Sequence, residues 1–301
     1  MIDAILQPFQ FPFMQNAFLI ALIVAPPTAL LSCFLVLKGW ALMGDAVSHA
    51  VLPGIVLAYM AGLPLLLGAF VAGLGSALLT GWLADNSRIK RDTVMGVVFS
   101  GMFALGIVLH TAFPTDVHLD HILFGNMLGV ECALPDNAAA LLWGDDANLL
   151  TGAATLWREC ADILTSVAIA IPVTLILILK WRDLMLHAFD PAQAQVSGLP
   201  VKVLHYGLLT ILALTIVATL SSVGLILAIG LLIAPGAIAF LLVRSFGAML
   251  ITATAVCMVA MLTGIWASFH LDSAPAPTVI LILTAMFLVA FLRRIGQARS
   301  A

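Results

Sequence analysis

Charged residues are scarce in this sequence. Asp, Glu, Lys and Arg together make up 9% of the 301 residues, whereas 63% are apolar, and the mean hydropathy is +1.17. Soluble domains contain about 25% charged and about 45–50% apolar residues. A soluble protein of this composition would expose too much apolar surface to water, so the sequence predicts an integral membrane protein. The net charge of −3 gives no indication of nucleic-acid binding.

Several sequence motifs are also missing. There is no G-x-x-x-x-G-K-[ST] phosphate-binding loop, so the chain is not itself a typical ATPase. There is no H-E-x-x-H motif and no cofactor fingerprint, so neither a zinc protease nor a permanently bound cofactor is expected. The cysteines show no C-x-x-C spacing, which argues against a zinc knuckle; they are Cys33, Cys132, Cys160 and Cys257.

Long apolar segments occupy most of the chain. A hydrocarbon core of about 30 Å needs about 20 apolar residues per helix. Nine segments fit, although eight or ten spans stay compatible with the pattern: Ala17–Leu37, Leu42–Gly62, Pro64–Ala84, Thr93–Phe113, Ile163–Leu179, His205–Leu220, Val223–Val243, Phe246–Ser268 and Pro277–Leu292. Because no linker divides the chain, the sequence predicts one all-α transmembrane bundle over residues 1–301.

The distribution of positive charge supports this threading. Basic residues in short loops favour the cytoplasmic side. With the N-terminus outside, 11 of the 12 Lys and Arg residues fall on the inside, and only Arg158 falls outside. The inside residues are Lys38, Arg88, Lys90, Arg91, Lys180, Arg182, Lys202, Arg244, Arg293, Arg294 and Arg299.

The longest segment predicted to lie outside is Pro114–Asp162. Its stretch Glu131–Cys160 is predicted to be an extracytoplasmic excursion, because it contains turn-forming residues at Pro135–Asn137 and Gly144–Asn148. Four potential metal ligands lie close together before it: Asp116, His118, Asp120 and His121. They fit a cation-attracting entrance or a partner contact, and a solvated loop is equally compatible.

The most informative motif begins the second predicted span. Asp45 and His49 are four residues apart, so a helix places them on one face, with Ser48 nearby. Ionisable residues within a span are expensive and mark transport paths or partners, and a carboxylate with an imidazole suits manganese, iron or zinc. Pro53 and Gly54 are expected to weaken the helix. The alternative is that Asp45 caps the helix while His49 packs against a neighbour.

A second motif lies on the inside, within residues 187–200. Asp190 suits an N-cap position, Pro191 the first helical position and Gly198 the C-terminal stop. The sequence therefore predicts a helix of about two turns, either an interfacial helix or one that docks into a cytoplasmic partner.

A third motif, Ser221–Gly236, contains glycines and Pro235, which favour close helix packing or a gating hinge.

These motifs resemble those of the permease subunits of ABC-type manganese, iron and zinc importers (the ABC-3 family), and among them most closely the manganese and iron permeases. The matching segments occur in family order along nearly the whole chain. They are Gly44–Gly54, Ser87–Thr93, Asp120–Asn126, Phe189–Ala194 with Gly198, and Ala228–Pro235. The excursion Glu131–Cys160 is longer than the family pattern.

The resemblance implies an ATP-driven importer in a bacterial inner membrane. Two permease subunits, identical or different, would form the pathway, two cytoplasmic ATPases would bind ATP, and an extracytoplasmic binding protein would deliver the metal. Asp45 and His49 would lie on the metal path. Asp190, Pro191 and Gly198 would belong to the segment that contacts the ATPase.

Two other functions are compatible with the residues alone. The first is a proton-coupled secondary metal transporter or channel that acts without an ATPase. The second is an intramembrane enzyme that uses His49 as acid or base. Dependence on an ATPase distinguishes the importer from both.

Cys132 and Cys160 bracket the excursion, and an oxidising periplasm would allow them to form a disulfide. We therefore expect both to resist thiol labelling of intact cells under non-reducing conditions and to become reactive after reduction. Free labelling of both residues without a reductant would show two unpaired thiols instead.

Overall fold

The computed structural model describes residues 7–113 and 160–300, and within these ranges the secondary structure is helical without strands. The predicted entrance cluster, Cys132 and Arg158 lie outside the described residues. A 3-10 turn at Gln7–Gln10 precedes the α-helices. These are α1 (Pro12–Lys38), α2 (Met43–Ala50), α3 (Leu52–Met60), α4 (Leu65–Asn86), α5 (Arg91–Ala112), α6 (Ala161–Leu179), α7 (Trp181–Phe189), α8 (Pro191–Val196), α9 (Val201–Leu242), α10 (Phe246–Leu271) and α11 (Pro275–Ser300).

The helices confirm the predicted membrane-spanning bundle. Eight helical stretches in the described ranges are long and apolar enough to cross a membrane, and they coincide with the predicted spans other than the fifth. The fifth lies in α6, which meets the same criterion together with α7, although the two helices are bent by 70°. The short α7 therefore leaves the direction of the fifth span.

Some boundaries differ from those predicted. α1 begins at Pro12 rather than near Ala17, since proline is well suited to the first helical turn. The sixth and seventh predicted spans are present as Val201–Leu220 and Ser222–Leu242, and the label α9 covers both because they meet without a loop at a kink, where Gly224 has the non-helical φ 80° and ψ 169°. Glycine tolerates this positive φ because it has no Cβ, so the interruption needs no loop.

α1 is the central helix of the bundle. It packs against α6, α9 and α10, and residues such as Ala25, Ala29 and Leu31 are fully buried. Apolar residues occur all around α1, which is typical of a helix enclosed by other helices. A second group, α2 to α5, is joined to this part of the bundle by α9, which contacts both α2 and α4.

α3 and α4 cross at two facing glycines. A Cβ added to Gly54 would lie 2.1 Å from the Gly68 carbonyl oxygen, and one added to Gly68 would lie 2.2 Å from the Gly54 carbonyl oxygen. Ala58 and Ala72 follow one turn later and make the next contacts. Small residues at such spacing allow membrane helices to approach closely. This crossing holds α3, and with it the end of α2, against α4.

Gly68→Ala should lower the stability of the protein, because the added methyl group would collide with backbone that cannot rotate away. Overpacking of this kind costs about 1–3 kcal/mol. Gly75→Ala on the same helix is the matched control, since a Cβ there meets nothing within 4 Å. Thermal unfolding in detergent should show a lower midpoint for Gly68→Ala only; equal midpoints would mean that the crossing is not tightly constrained.

Candidate functional site

α2 brings Asp45 and His49 together on one helix face. The Asp45 Oδ1 and His49 Nε2 atoms are 3.3 Å apart, and the side chains are 34% and 23% exposed. α2 can approach its neighbours closely because it contains small residues; Gly44, for instance, packs against Leu232 of α9. The predicted pairing of the two side chains is therefore present, with both still partly accessible.

Asp45 does not cap α2. The N-cap residue is Leu42, which makes no side-chain capping bond, and Asp45 lies in the first helical turn. A carboxylate at this position interacts favourably with the helix dipole. Its side chain nevertheless extends towards His49, so the capping alternative does not account for its position.

The His49 ring packs against two aromatic side chains of α5. The Phe103 ring lies edge-on with centroids 5.1 Å apart, and the Phe99 ring is tilted at 5.6 Å. His49 Nδ1 is buried and has no hydrogen-bond partner among the residues that the structure describes. The aromatic contacts fix the ring so that Nε2 faces Asp45. Phe99 and Phe103 were not singled out in the sequence, although their spacing of four residues on a predicted helix is a usable signal.

Ser48 does not extend this pair of potential ligands. Its side chain is buried, and its hydroxyl donates a 2.7 Å hydrogen bond to the Gly44 carbonyl oxygen. Ser48 therefore satisfies its own polarity within α2. Nor does any group of three or more His, Cys, Asp or Glu side chains with metal-binding geometry occur among residues 7–113 and 160–300.

The helix is interrupted just after His49. α2 ends at Ala50 and α3 begins at Leu52, although the backbone of Val51 between them stays in the α region, with φ −68° and ψ −29°. Pro53 has no N–H group and so leaves the His49 carbonyl without its usual helical donor. The observed break agrees with the prediction that Pro53 weakens this span.

α8 has the geometry predicted for the inside motif. The Asp190 Oδ1 atom accepts a 2.9 Å hydrogen bond from the Gln193 backbone N–H, and Pro191 occupies the first helical position. Gly198 follows the helix with φ 78°, a conformation that favours glycine. The three residues therefore fix both ends of a six-residue helix between α7 and α9.

Exposed apolar side chains lie on both sides of this short helix, at the last residue of α7 and at the last residue of α8. Phe189 is 74% and Val196 is 83% exposed, whereas Ala194 faces inward and is buried. Large exposed apolar residues beside a rigid helix are suited to a protein contact.

Membrane proteins of metal transport systems resemble this chain over nearly its whole length. The chelated iron transport system membrane protein YfeD of Yersinia pestis is 51% identical over 286 residues, which cover 95% of this chain and 87% of that protein. The manganese transport system membrane protein MntB of Synechocystis is 38% identical over 289 residues, covering 96% and 85%.

A solved structure shares the fold as well. A chain of PsaBC from Streptococcus pneumoniae, in complex with Fab, superposes with a TM-score of 0.77 at 32% identity, covering 97% of this chain and 95% of that one.

The family model of the ABC 3 transport family matches residues 10–133 and 147–294. The gap between the two matched ranges falls within the predicted excursion Glu131–Cys160. Both matched ranges together include the Asp45–His49 pair and the capped helix α8. This chain belongs to the ABC 3 transport family.

Proposed function

We propose that this chain is the membrane-spanning permease of an ATP-driven importer of divalent metal ions, with manganese or iron as the preferred substrate and zinc next. The observation that carries the proposal is the Asp45–His49 pair on α2, with its donor atoms 3.3 Å apart. The names of the relatives support the choice of metal, since one is described as an iron and the other as a manganese transport protein.

The pair has a suitable geometry for two adjacent ligands of one metal ion. Donor atoms that bind a metal at about 2.1 Å and at about 90° to each other lie about 3 Å apart. One carboxylate oxygen and one imidazole nitrogen form an incomplete ligand set, which water or a second permease subunit would complete. Incomplete coordination favours transport, because an ion must leave its site as readily as it enters.

The same proposal assigns the cytoplasmic contact to α8. The capped helix and the exposed side chains of Phe189 and Val196 would bind a cytoplasmic ATPase. ATP binding and hydrolysis there would drive the permease between outward-facing and inward-facing states. An extracytoplasmic binding protein would deliver the metal at the opposite face, where the sequence places the Asp116, His118, Asp120 and His121 cluster.

Asp45→Ala and His49→Ala should each lower metal uptake by at least about tenfold, because loss of even an outer partner of a metal ligand has effects of this size. Uptake of radiolabelled manganese is the measurement. Protein level and association with the ATPase should stay normal, since both side chains are partly exposed.

His270→Ala is a suitable control for these variants. His270 also lies in a transmembrane helix, near the end of α10, where it contacts the Trp266 backbone carbonyl within the same helix. Its replacement should leave uptake unchanged. Wild-type uptake in Asp45→Ala and His49→Ala would return the pair to a packing role and contradict the proposal.

A further inference from the structure

Four side chains meet at the C-terminal end of α1, which the distribution of positive charge predicts to be cytoplasmic; we call them the Lys38–His187 cluster. The Lys38 ammonium hydrogen-bonds to His187 Nε2 and lies 4.5 Å from the centre of the Trp40 ring. The Trp40 ring packs edge-on against His205 with centroids 5.2 Å apart, and His205 packs edge-on against His187 at 6.0 Å. The contacts thus close a ring through all four residues.

The hydrogen bond in this cluster joins a cation to a neutral histidine. His187 lies in α7, beyond the end of the fifth span, and is only 2% exposed. Burial, then the charge of Lys38 and then His205 lower the pKa of His187 to about 4. The ring is therefore neutral at physiological pH, and Nε2 accepts the proton that Lys38 donates.

The cluster is not optimised for stability alone. His187 Nδ1 is buried and has no hydrogen-bond partner within residues 7–113 and 160–300. An unsatisfied buried polar atom lowers the stability of the folded protein, and an apolar residue of similar shape would avoid that penalty. Such atoms in native structures call for a functional or structural explanation. The Lys38 ammonium beside His187 Nε2 would repel a metal ion, so a second metal site does not explain the unsatisfied Nδ1 atom.

The positions of the four residues along the chain suggest what the cluster does. Lys38 is the last residue of α1, and Trp40 lies in the short connection that leads into α2. His187 lies in the last turn of α7, which continues directly into α8, and His205 lies in the first turns of α9, just after α8. The cluster therefore ties both flanks of α8 to the start of the helix that carries Asp45 and His49.

We propose that the Lys38–His187 cluster transmits movement of α8 to α2, so that its residues are positioning residues that couple ATP hydrolysis to movement of the metal-binding pair. The inference rests on the proposed function, in which α8 contacts the ATPase. A closed ring of contacts between three elements moves as one body, because a displacement of α7 and α9 shifts Lys38 and Trp40 with them. The connection from Trp40 to Asp45 is too short to absorb that shift.

The test uses the permease together with its cognate ATPase in proteoliposomes and measures radiolabelled manganese transported per ATP hydrolysed. Lys38→Met removes the donor and keeps the apolar stem, and His187→Leu removes the acceptor. Both should lower the ratio by about threefold or more, as expected when a residue carries coupling between two sites. ATP hydrolysis, protein level and association with the ATPase should persist.

Two further variants separate coupling from general structure. His187→Gln retains a neutral acceptor near the position of Nε2 and should restore most of the ratio. Lys180→Met is the matched control, because Lys180 is exposed, lies between α6 and α7 and pairs with Asp183 at 3.2 Å. This control should behave as the wild type.

An unchanged ratio in Lys38→Met and His187→Leu would overturn the inference, and so would an equal loss in Lys180→Met. Loss of assembly in Lys38→Met would also contradict it, since the cluster would then be a folding element. Failure of the proposed function would give a different result, because the wild-type permease would then take up manganese without ATP. The inference would fall with the proposed function in that case.

Discussion

The hydrocarbon core of a membrane supplies no water to satisfy backbone N–H and C=O groups, and the architecture of this protein follows from that constraint. Each spanning segment must be helical, because only a helix satisfies these groups within itself. Interruptions are therefore costly in the bundle. In the described part of the chain they occur at Val51, at Gly224 and at the bend between α6 and α7.

Two of these interruptions lie next to the residues that carry the proposed mechanism. The first follows His49 directly, and the bend leads through α7 into α8. The two sites are connected over a short distance by the Lys38–His187 cluster, which contacts α7 and precedes α2. In the proposed mechanism, transport of the metal ion and contact with the ATPase lie on opposite sides of one partly buried junction. A rigid connection suits a permease in which the metal-binding pair and the ATPase contact must move together.

Much of this organisation was predictable from the sequence. The scarcity of charge and the length of the apolar segments predicted an all-α membrane protein, and the structure confirms this class. The family and the relatives confirm the further prediction of a multi-pass permease of the bacterial inner membrane, a transport subunit rather than an enzyme. The spacing of Asp45 and His49 predicted that they share one face of α2. Asp190, Pro191 and Gly198 predicted a short capped helix because capping depends on local chemistry.

Contacts between helices were not predictable in the same way. The packing of Phe99 and Phe103 against His49 depends on how α5 is placed beside α2, and the four residues of the Lys38–His187 cluster come from three separate parts of the chain. The self-satisfied hydroxyl of Ser48 was missed because spacing alone does not show which acceptor a serine selects. The two spans that meet at Gly224 were predicted, but the direct joint between them was missed, since glycine can also begin a loop.

The most direct test of the account is radiolabelled manganese uptake into proteoliposomes that contain this permease, with and without its cognate ATPase and ATP, and with unlabelled iron and zinc as competitors. The account predicts uptake only when both ATPase and ATP are present, with iron competing more strongly than zinc. Uptake by the permease alone would contradict it, since a chain that transports metal without an ATPase needs neither α8 as a docking helix nor a connection from α8 to the metal-binding pair.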